Sequence, residues 1–253
     1  MRLPPLIAGR FLKRDNRFRV AVQLDDGPVA AHLPNSGRLT ELLTPGRRCW
    51  LARLDAPHRK TAFDLKLMEY AGVLVSVDAR LPNPLFAEAL AAEHLVPFQG
   101  YRQVEREVTS GQSRLDFRLN GPPGVCWVEV KSVTLVEQGV GRFPDAPTTR
   151  GARHLEELIA IVEAGERAAV VFVVQRPDAQ RFVPHHRADP TFSATLREAA
   201  ERGVEVHAWT CTVQRREITI AQPIPVDNCS ATSLTSVDSR FRGNDGLVRA
   251  LAE

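Results

Sequence analysis

Over the first eighty residues the apolar positions recur at short, strand-like intervals. Phe18, Val20, Val22 and Leu24 alternate with Arg19, Ala21 and Gln23, which predicts a strand over 17–24, and Asp25-Asp26-Gly27 supplies the turn that follows it. A second strand is expected over 29–33. Pro34-Asn35-Ser36-Gly37 is a turn, after which 38–43 forms one short helical piece ended by Thr44-Pro45-Gly46. Strands over 49–54, 63–70 and 73–77 bring the total to about five. Five short strands with a small helix among them fit an all-β barrel of the oligonucleotide-binding (OB) type; a half-sandwich is nearly as compatible.

From Asn83 the pattern changes to alternating helices and strands. A helix over 85–95 carries Leu85, Ala89, Ala92 and Leu95 on one face. Strands over 101–108, 113–119 and 125–135 come next. Thr149 caps a helix running to about 164, with Leu155, Leu158, Ile159 and Val162 at helical spacing. Residues 168–174 are uniformly apolar, as expected of a strand in the middle of a sheet covered on both faces. A helix over 192–202 stops at Gly203, and 204–209 is a further strand. The order αβββαβαβ describes an α/β domain. The organisation read from the chain is thus 1–82 barrel, 83–225 α/β domain and 226–253 tail. The tail is Ser/Thr/Asn/Gly-rich without sustained periodicity, and is expected to be disordered or loosely attached. Its stretch Ser239-Arg240-Phe241-Arg242-Gly243-Asn244-Asp245-Gly246 resembles a translated dispersed repeat of bacterial genomes.

Charge sharpens this division. The net charge is only +3, but residues 1–82 hold 14 basic and 8 acidic side chains (+6), whereas 83–225 hold 16 and 18 (−2). A basic front segment suits a polyanionic partner, although such imbalance also serves solubility alone. Of the 33 basic residues only four are lysines, Lys13, Lys60, Lys66 and Lys131. With Arg as the default cation, each Lys becomes informative. Four widely spaced cysteines form no C-x-x-C pair, so reduced thiols are expected rather than a disulfide framework or zinc knuckle. The longest apolar run, 168–174, is too short to span a bilayer, and no signal peptide is evident. A cytoplasmic protein is the expectation.

The strongest chemical signal is Asp116 followed 13 residues later by Glu129-Val130-Lys131. Gly121-Pro122-Pro123-Gly124 can continue neither flanking strand and is the natural hairpin loop. Pairing Asn120 with Val125 then sets Asp116 opposite Glu129, with Cβ atoms about 5 Å apart. In this register Leu115, Phe117 and Leu119 share one face, while Asp116 shares the other with Arg114, Arg118, Glu129 and Lys131. Facing carboxylates repel unless a cation lies between them or one is protonated. A hard divalent ion resolves the conflict, and Mg²⁺ suits it because it needs only one or two carboxylates. Lys131 is then placed to orient or deprotonate an attacking water, or to stabilise charge developing on a phosphoryl group. The alternative is an edge-strand charge pair. Against it, the strand bearing Glu129 is otherwise apolar, and Lys131 is the sole lysine after residue 66.

These residues resemble a known family. Gly111-x-Ser113-Arg114-x-Asp116-Phe117, Trp127 through Leu135, Phe143-Pro144-Asp145-Ala146 and Thr149-Arg150-Gly151-x-x-His154-Leu155-x-Glu157-Leu158 closely resemble the sugar fermentation stimulation protein A family. So do His32 through Thr40 and Thr44-Pro45-Gly46. The resemblance spans residues 1 to about 226 and implies an N-terminal OB-like barrel followed by an α/β domain with a PD-(D/E)XK nuclease-like mixed sheet. It also implies DNA binding of little sequence preference and a regulatory role in sugar, particularly maltose, metabolism. Asp116, Glu129 and Lys131 match the nuclease motif, and Glu88 matches the position that often supplies another acidic ligand. Mg²⁺ or Mn²⁺ is the cofactor of an active enzyme of this kind; no membrane or small-molecule cofactor is expected. Leu115 stands where the motif has Pro, and Ser36 and Arg153 replace the commoner Thr and Lys.

Several residues carry two readings. Glu107 either joins the metal site or is a solvated strand-edge charge. Arg150 and His154, four apart on one helix face, either meet a phosphate or stabilise the helix as a pair. Asn35, Ser36, Gly37 and Arg38 either bind phosphate or simply turn the chain. Lys13, Arg14, Arg17 and Arg19, with Phe11 and Phe18 close by, suit a backbone groove with base stacking, but Phe18 serves a barrel core equally well. His185-His186 lie beside Pro184 and read as solvated.

Overall fold

The computed structural model describes residues 1–54 and 59–227, so most of the predicted tail lies outside the described residues. The front half is a barrel of β1 (Leu6–Asn16), β2 (Arg19–Leu24), β3 (Gly27–His32), β4 (Arg48–Arg53) and β5 (Phe63–Tyr70), extended by β6 (Val73–Ser76). The strand order is β3-β2-β1-β4-β5-β6, and parallel pairing of β3 with β5 closes the ring. Closure gives one interior, filled by Phe11, Val20, Val22, Leu33, Leu51, Leu65 and Val75.

Two expectations for this half are corrected. Strand β1 escaped the sequence reading because Gly9 and the cations Arg10, Lys13 and Arg14 break its alternation, and two register shifts against β2 bend it. Residues 38–43 form a single turn rather than a helix. Leu42 and Leu43 donate backbone N–H groups to Leu39 O, and Leu39 itself has a φ of 52°.

The second half opens with α1 (Pro82–Ala91), followed by β7 (Gln103–Ser110), β8 (Ser113–Gly121), β9 (Gly124–Val133), β10 (Leu135–Glu137) and β11 (Val140–Phe143). Then come α2 (Thr149–Glu163), β12 (Arg167–Val174), β13 (Arg181–Pro184), α3 (Pro190–Glu201), β14 (Glu205–Val213) and β15 (Ile218–Pro223). A mixed six-stranded sheet runs β15-β14-β12-β9-β8-β7, with β12 central and parallel to both β9 and β14. The apolar run is therefore buried on both faces, as its composition requires. One face packs on α1 through Leu85, Phe86 and Leu90; the other packs on α2 and α3 through Leu155, Leu158, Phe192 and Leu196. Thr148, not Thr149, caps α2, its Oγ1 accepting from Gly151 N at 3.0 Å. The short sheet β10-β11-β13 and strand β15 were absent from the sequence reading; each of β10, β11 and β13 has four residues or fewer.

The barrel sits across the carboxyl ends of the parallel strands. Ser76 N donates to Gln175 O at 3.0 Å just beyond β12, and Trp50 and Leu67 of the barrel join the core beneath α1. The first turn of α1 is anchored by a buried ion network. Asp64 and Asp78 are fully buried, Lys66 Nζ donates to Asp78 Oδ2 at 2.6 Å, and Arg80 reaches Asp64 and Asp78 at 2.7 and 2.6 Å. With every charge countered, the cluster escapes the cost of an unpaired buried ion.

Candidate metal centre and nucleic-acid interface

The hairpin register follows the sequence derivation from Gly121↔Gly124 through Asn120↔Val125 to Phe117↔Val128, and stops there. At the next position the strands part. Asp116 does not pair with Glu129 across the ladder; its Oδ2 accepts from Val130 N at 2.8 Å. On the other side Glu107 interrupts the β7–β8 ladder with a φ of 56°. The irregularity also rotates β8. Phe117 and Leu119 pack on the α1 side while Leu115 packs on the α2 side, so the three do not share a face as expected.

Asp116 is thereby turned into the gap where β8 and β9 diverge, and its Oδ1 accepts from Asn83 Nδ2 of α1 at 2.7 Å. Glu129 is 4% exposed and Lys131 9%, both buried in an otherwise apolar strand. Lys131 Nζ donates to Glu129 Oε1 at 2.6 Å. His154, 2% exposed on α2, directs Nδ1 to the same oxygen, while Arg150 Nε donates to His154 Nε2 at 3.2 Å. Because Nε2 accepts, the ring proton is on Nδ1 and is donated to Glu129. One carboxylate oxygen is thus held by two donors. The other, Oε2, is buried with no partner.

The two acids respond differently to this setting. Burial and the neighbouring Glu129 charge push Asp116 up to about 6, against hydrogen bonds from Val130 and Asn83. Burial acts on Glu129 in the same direction, but the Lys131 charge and the His154 hydrogen bond outweigh it and hold the carboxyl below its ordinary value. A buried, unpartnered carboxylate oxygen beside a second carboxylate of raised pKa is a site short of positive charge. Among the described residues no group of three or more His, Cys, Asp or Glu side chains is arranged to hold a metal ion by itself. Two carboxylates and no sulfur fit a hard divalent ion that completes its shell with water rather than a soft metal needing an all-protein cage.

Glu88 is not part of this set. It lies on α1 with its side chain half exposed and bonded to the Met1 ammonium at 2.6 Å; the α1 residue that reaches the site is Asn83, five positions earlier. His154 is likewise misassigned as a nucleic-acid contact, being buried against Glu129. Arg150 is its partner. Glu107 is exposed and paired with Arg114 at 2.8 Å, and His185 bonds to Pro144 O in a loop.

On the barrel, Phe11 is core and Phe18 is 45% exposed, with the Arg17 guanidinium 5.5 Å from its ring centroid. Lys13 is 74% exposed on its side chain, and Arg19 lies 3.5 Å from Asp15. Arg14 is structural. It donates to the carbonyls of Gly37 and Arg38 at 2.8 Å and of Arg17 at 2.7 Å, pinning the turn at 34–38, while the Arg38 side chain is exposed. Asn35 reinforces the same turn, accepting from Gly37 N at 2.8 Å and donating to Val77 O at 3.1 Å.

Comparison with known proteins is consistent with this architecture. Residues 12–77 match a family profile described as SfsA N-terminal OB domain, and 80–217 match Sugar fermentation stimulation protein RE domain. The sugar fermentation stimulation protein homolog of Moorella thermoacetica is 49% identical over 225 residues, covering 87% of this chain and 96% of its own. That of Chloroflexus aurantiacus is 47% identical over 222 residues, covering 88% and 86%. Among solved structures, Pyrococcus furiosus SfsA in complex with Ca²⁺ superposes with a TM-score of 0.84 at 34% identity, over 90% of this chain and 98% of that one.

Proposed function

The chain belongs to the sugar fermentation stimulation protein family, and we propose that it binds DNA with little sequence preference and hydrolyses phosphodiester bonds at a divalent-cation site formed by Asp116 and Glu129. The observation that carries this reading is Glu129 Oε2, buried and unpartnered beside Asp116. The Pyrococcus furiosus relative is in complex with Ca²⁺, which supports a divalent ion in this chain too, and Mg²⁺ or Mn²⁺ would serve for turnover.

A bound ion of this kind supplies Lewis-acid stabilisation of the phosphoryl oxygens and lowers the pKa of an attacking water. The chain's own residues prepare the rest. His154 and Lys131 fix Glu129 Oε1, so that Oε2 is the oxygen presented to the ion. Val130 N and Asn83 fix Asp116 in the strand gap. Lys131, a compact ammonium with little exposure, keeps Glu129 ionised and places positive charge where negative charge grows on the phosphorane oxygens. Lys13, Arg17, Arg19 and Arg38 on the barrel carry the phosphate backbone, and affinity falls steeply with salt.

The test is cleavage of a panel of single-stranded, duplex and branched DNA with Mg²⁺ or Mn²⁺. Wild type cuts at least one form; Lys131→Ala cuts none yet still binds DNA. A wild-type protein that leaves the whole panel intact with both metals overturns the reading.

A further inference from the structure

A cleft of about 210 Å³ lies between the barrel and the α/β domain, at the carboxyl end of β9. The crevice beyond the carboxyl ends of parallel strands is where open α/β sheets place ligands. This one adjoins the metal centre by sequence: its lining includes Ser132, next to Lys131, and Thr148, which caps the helix that brings Arg150 and His154 to Glu129. Ser132 and Lys131 are consecutive in β9 and so point to opposite faces of the strand, which places the cleft and the carboxylates at the same end of β9.

The lining selects among ligands. At about 210 Å³ the cleft is small for a cofactor pocket and of a size to take a single planar ring, with the rest of a larger ligand outside its mouth. Leu135, Phe143, Pro144 and Pro147 give it apolar walls, and the Phe143 ring is held by edge contact with Phe192 at 5.1 Å. Ser36, Ser132, Thr134 and Thr148 contribute hydroxyls that both donate and accept. A bare phosphate is poorly served. Asp145 contributes a carboxylate, Arg142 lies 2.9 Å from Glu137, and Arg17, the remaining cation at the rim, lies with its guanidinium 5.5 Å from the Phe18 ring centroid, where it can hold the backbone of a nucleotide whose base is inside. Neutral, flat, apolar on its faces and hydrogen-bonding at its edge is the description of a nucleobase.

The cleft is also pre-formed. Arg14 and Asn35 hold the turn that makes its barrel wall, and Asp145 Oδ2 accepts from Leu39 N at 3.2 Å across the domain junction. A Cβ at position 37 would stand 2.4 Å from Asp145 Oδ2, so any residue larger than glycine must displace that carboxylate.

We propose that this cleft receives one unpaired DNA base, so that the DNA acted on at Asp116 and Glu129 is single-stranded or carries an unpaired nucleotide beside the scissile phosphate. The inference deepens the phosphodiesterase reading and rests on it for the chemistry, but its binding test stands apart from turnover. Oligonucleotides with 2-aminopurine in a single strand, in an unpaired bulge, or in a matched duplex are titrated with the full chain, once in Ca²⁺ and once in EDTA. Single-stranded and bulged probes should bind at least about tenfold tighter than matched duplex, within what stacking one base supplies, with their fluorescence changing on entry. Ala79→Phe and Ser36→Trp, both at exposed lining positions, should reduce that preference below twofold while circular dichroism and Ca²⁺ affinity stay as in wild type. Equal affinity for matched duplex overturns the inference, as does a full preference in both folded variants. Absence of Ca²⁺ binding overturns the phosphodiesterase reading, whereas the EDTA titration still decides the cleft.

Discussion

Replacing Asp116 by Asn should make the metal-free protein more stable. The side chain is isosteric: its oxygen keeps the hydrogen bond from Val130 N, and a half-turn of the Asn83 amide accepts from the new nitrogen. What disappears is a carboxylate pushed up to about 6 by burial and by Glu129. Below pH 4 the Asp side chain is protonated in both folded and unfolded states, and wild type and variant are equivalent. Between pH 4 and 6 the unfolded wild-type chain releases its proton while the folded one keeps it. Wild type therefore loses stability as pH rises through this window, and the gap is complete above 6. The shift corresponds to about 3 kcal/mol, reduced to about 2 kcal/mol for the partial exposure of the carboxylate. Urea unfolding in EDTA at pH 8 and pH 5 reads it: the advantage of Asn should be full at pH 8 and about half gone at pH 5. Adding Mg²⁺ should stabilise wild type alone and narrow the gap. An Asn variant no more stable than wild type at pH 8 in EDTA would refute the claim that Asp116 sits in a charge-deficient pocket.

His154→Ala should weaken Ca²⁺ binding about 10- to 100-fold by freeing the Glu129 carboxylate to rotate, with partial recovery in His154→Asn; calorimetric titration giving wild-type affinity for both would remove its positioning role. Gly37→Ala should destabilise the folded chain by about 1–3 kcal/mol, because its methyl group displaces the Asp145 carboxylate from Leu39 N. An unchanged urea midpoint would show that the junction relaxes freely. Burial pushes Cys49, Cys126 and Cys211 up to about 12. Iodoacetamide at pH 8 should leave all three unmodified in the native protein and alkylate them in urea, as read by peptide mass spectrometry.

The legible part of the site was what strand geometry dictates. Two glycines and two prolines fix a hairpin turn, a turn fixes a register, and the register brought Asp116 and Glu129 to one place. The expected register fails one residue past that ladder, because strand divergence at Asp116 depends on the backbone of Glu107 in a different strand. Glu88 failed for a similar reason. Position on α1 was known, but which of its residues faces Asp116 depends on how Pro82 starts the helix. His154 shares a helix face with Arg150, a spacing equally typical of a surface pair, yet it lies on the inner face of α2; no local signal distinguishes a buried imidazole from a solvated one. The sparse lysines were the better guide, since two of the four, Lys66 and Lys131, are buried ion-pair partners.

Trp50 and Leu67 of the barrel share a core with α1, and the composition change near Pro82 is therefore a seam in sequence and not in energy. Domains joined by a continuous apolar core do not swing on a linker. On the proposed function, the space between the barrel turn and the Asp116–Glu129 pair would then be a fixed gauge: DNA would have to arrive already thin enough, or be distorted at its own expense, and substrates would be sorted by what the strand costs to open rather than by any closing motion of the protein.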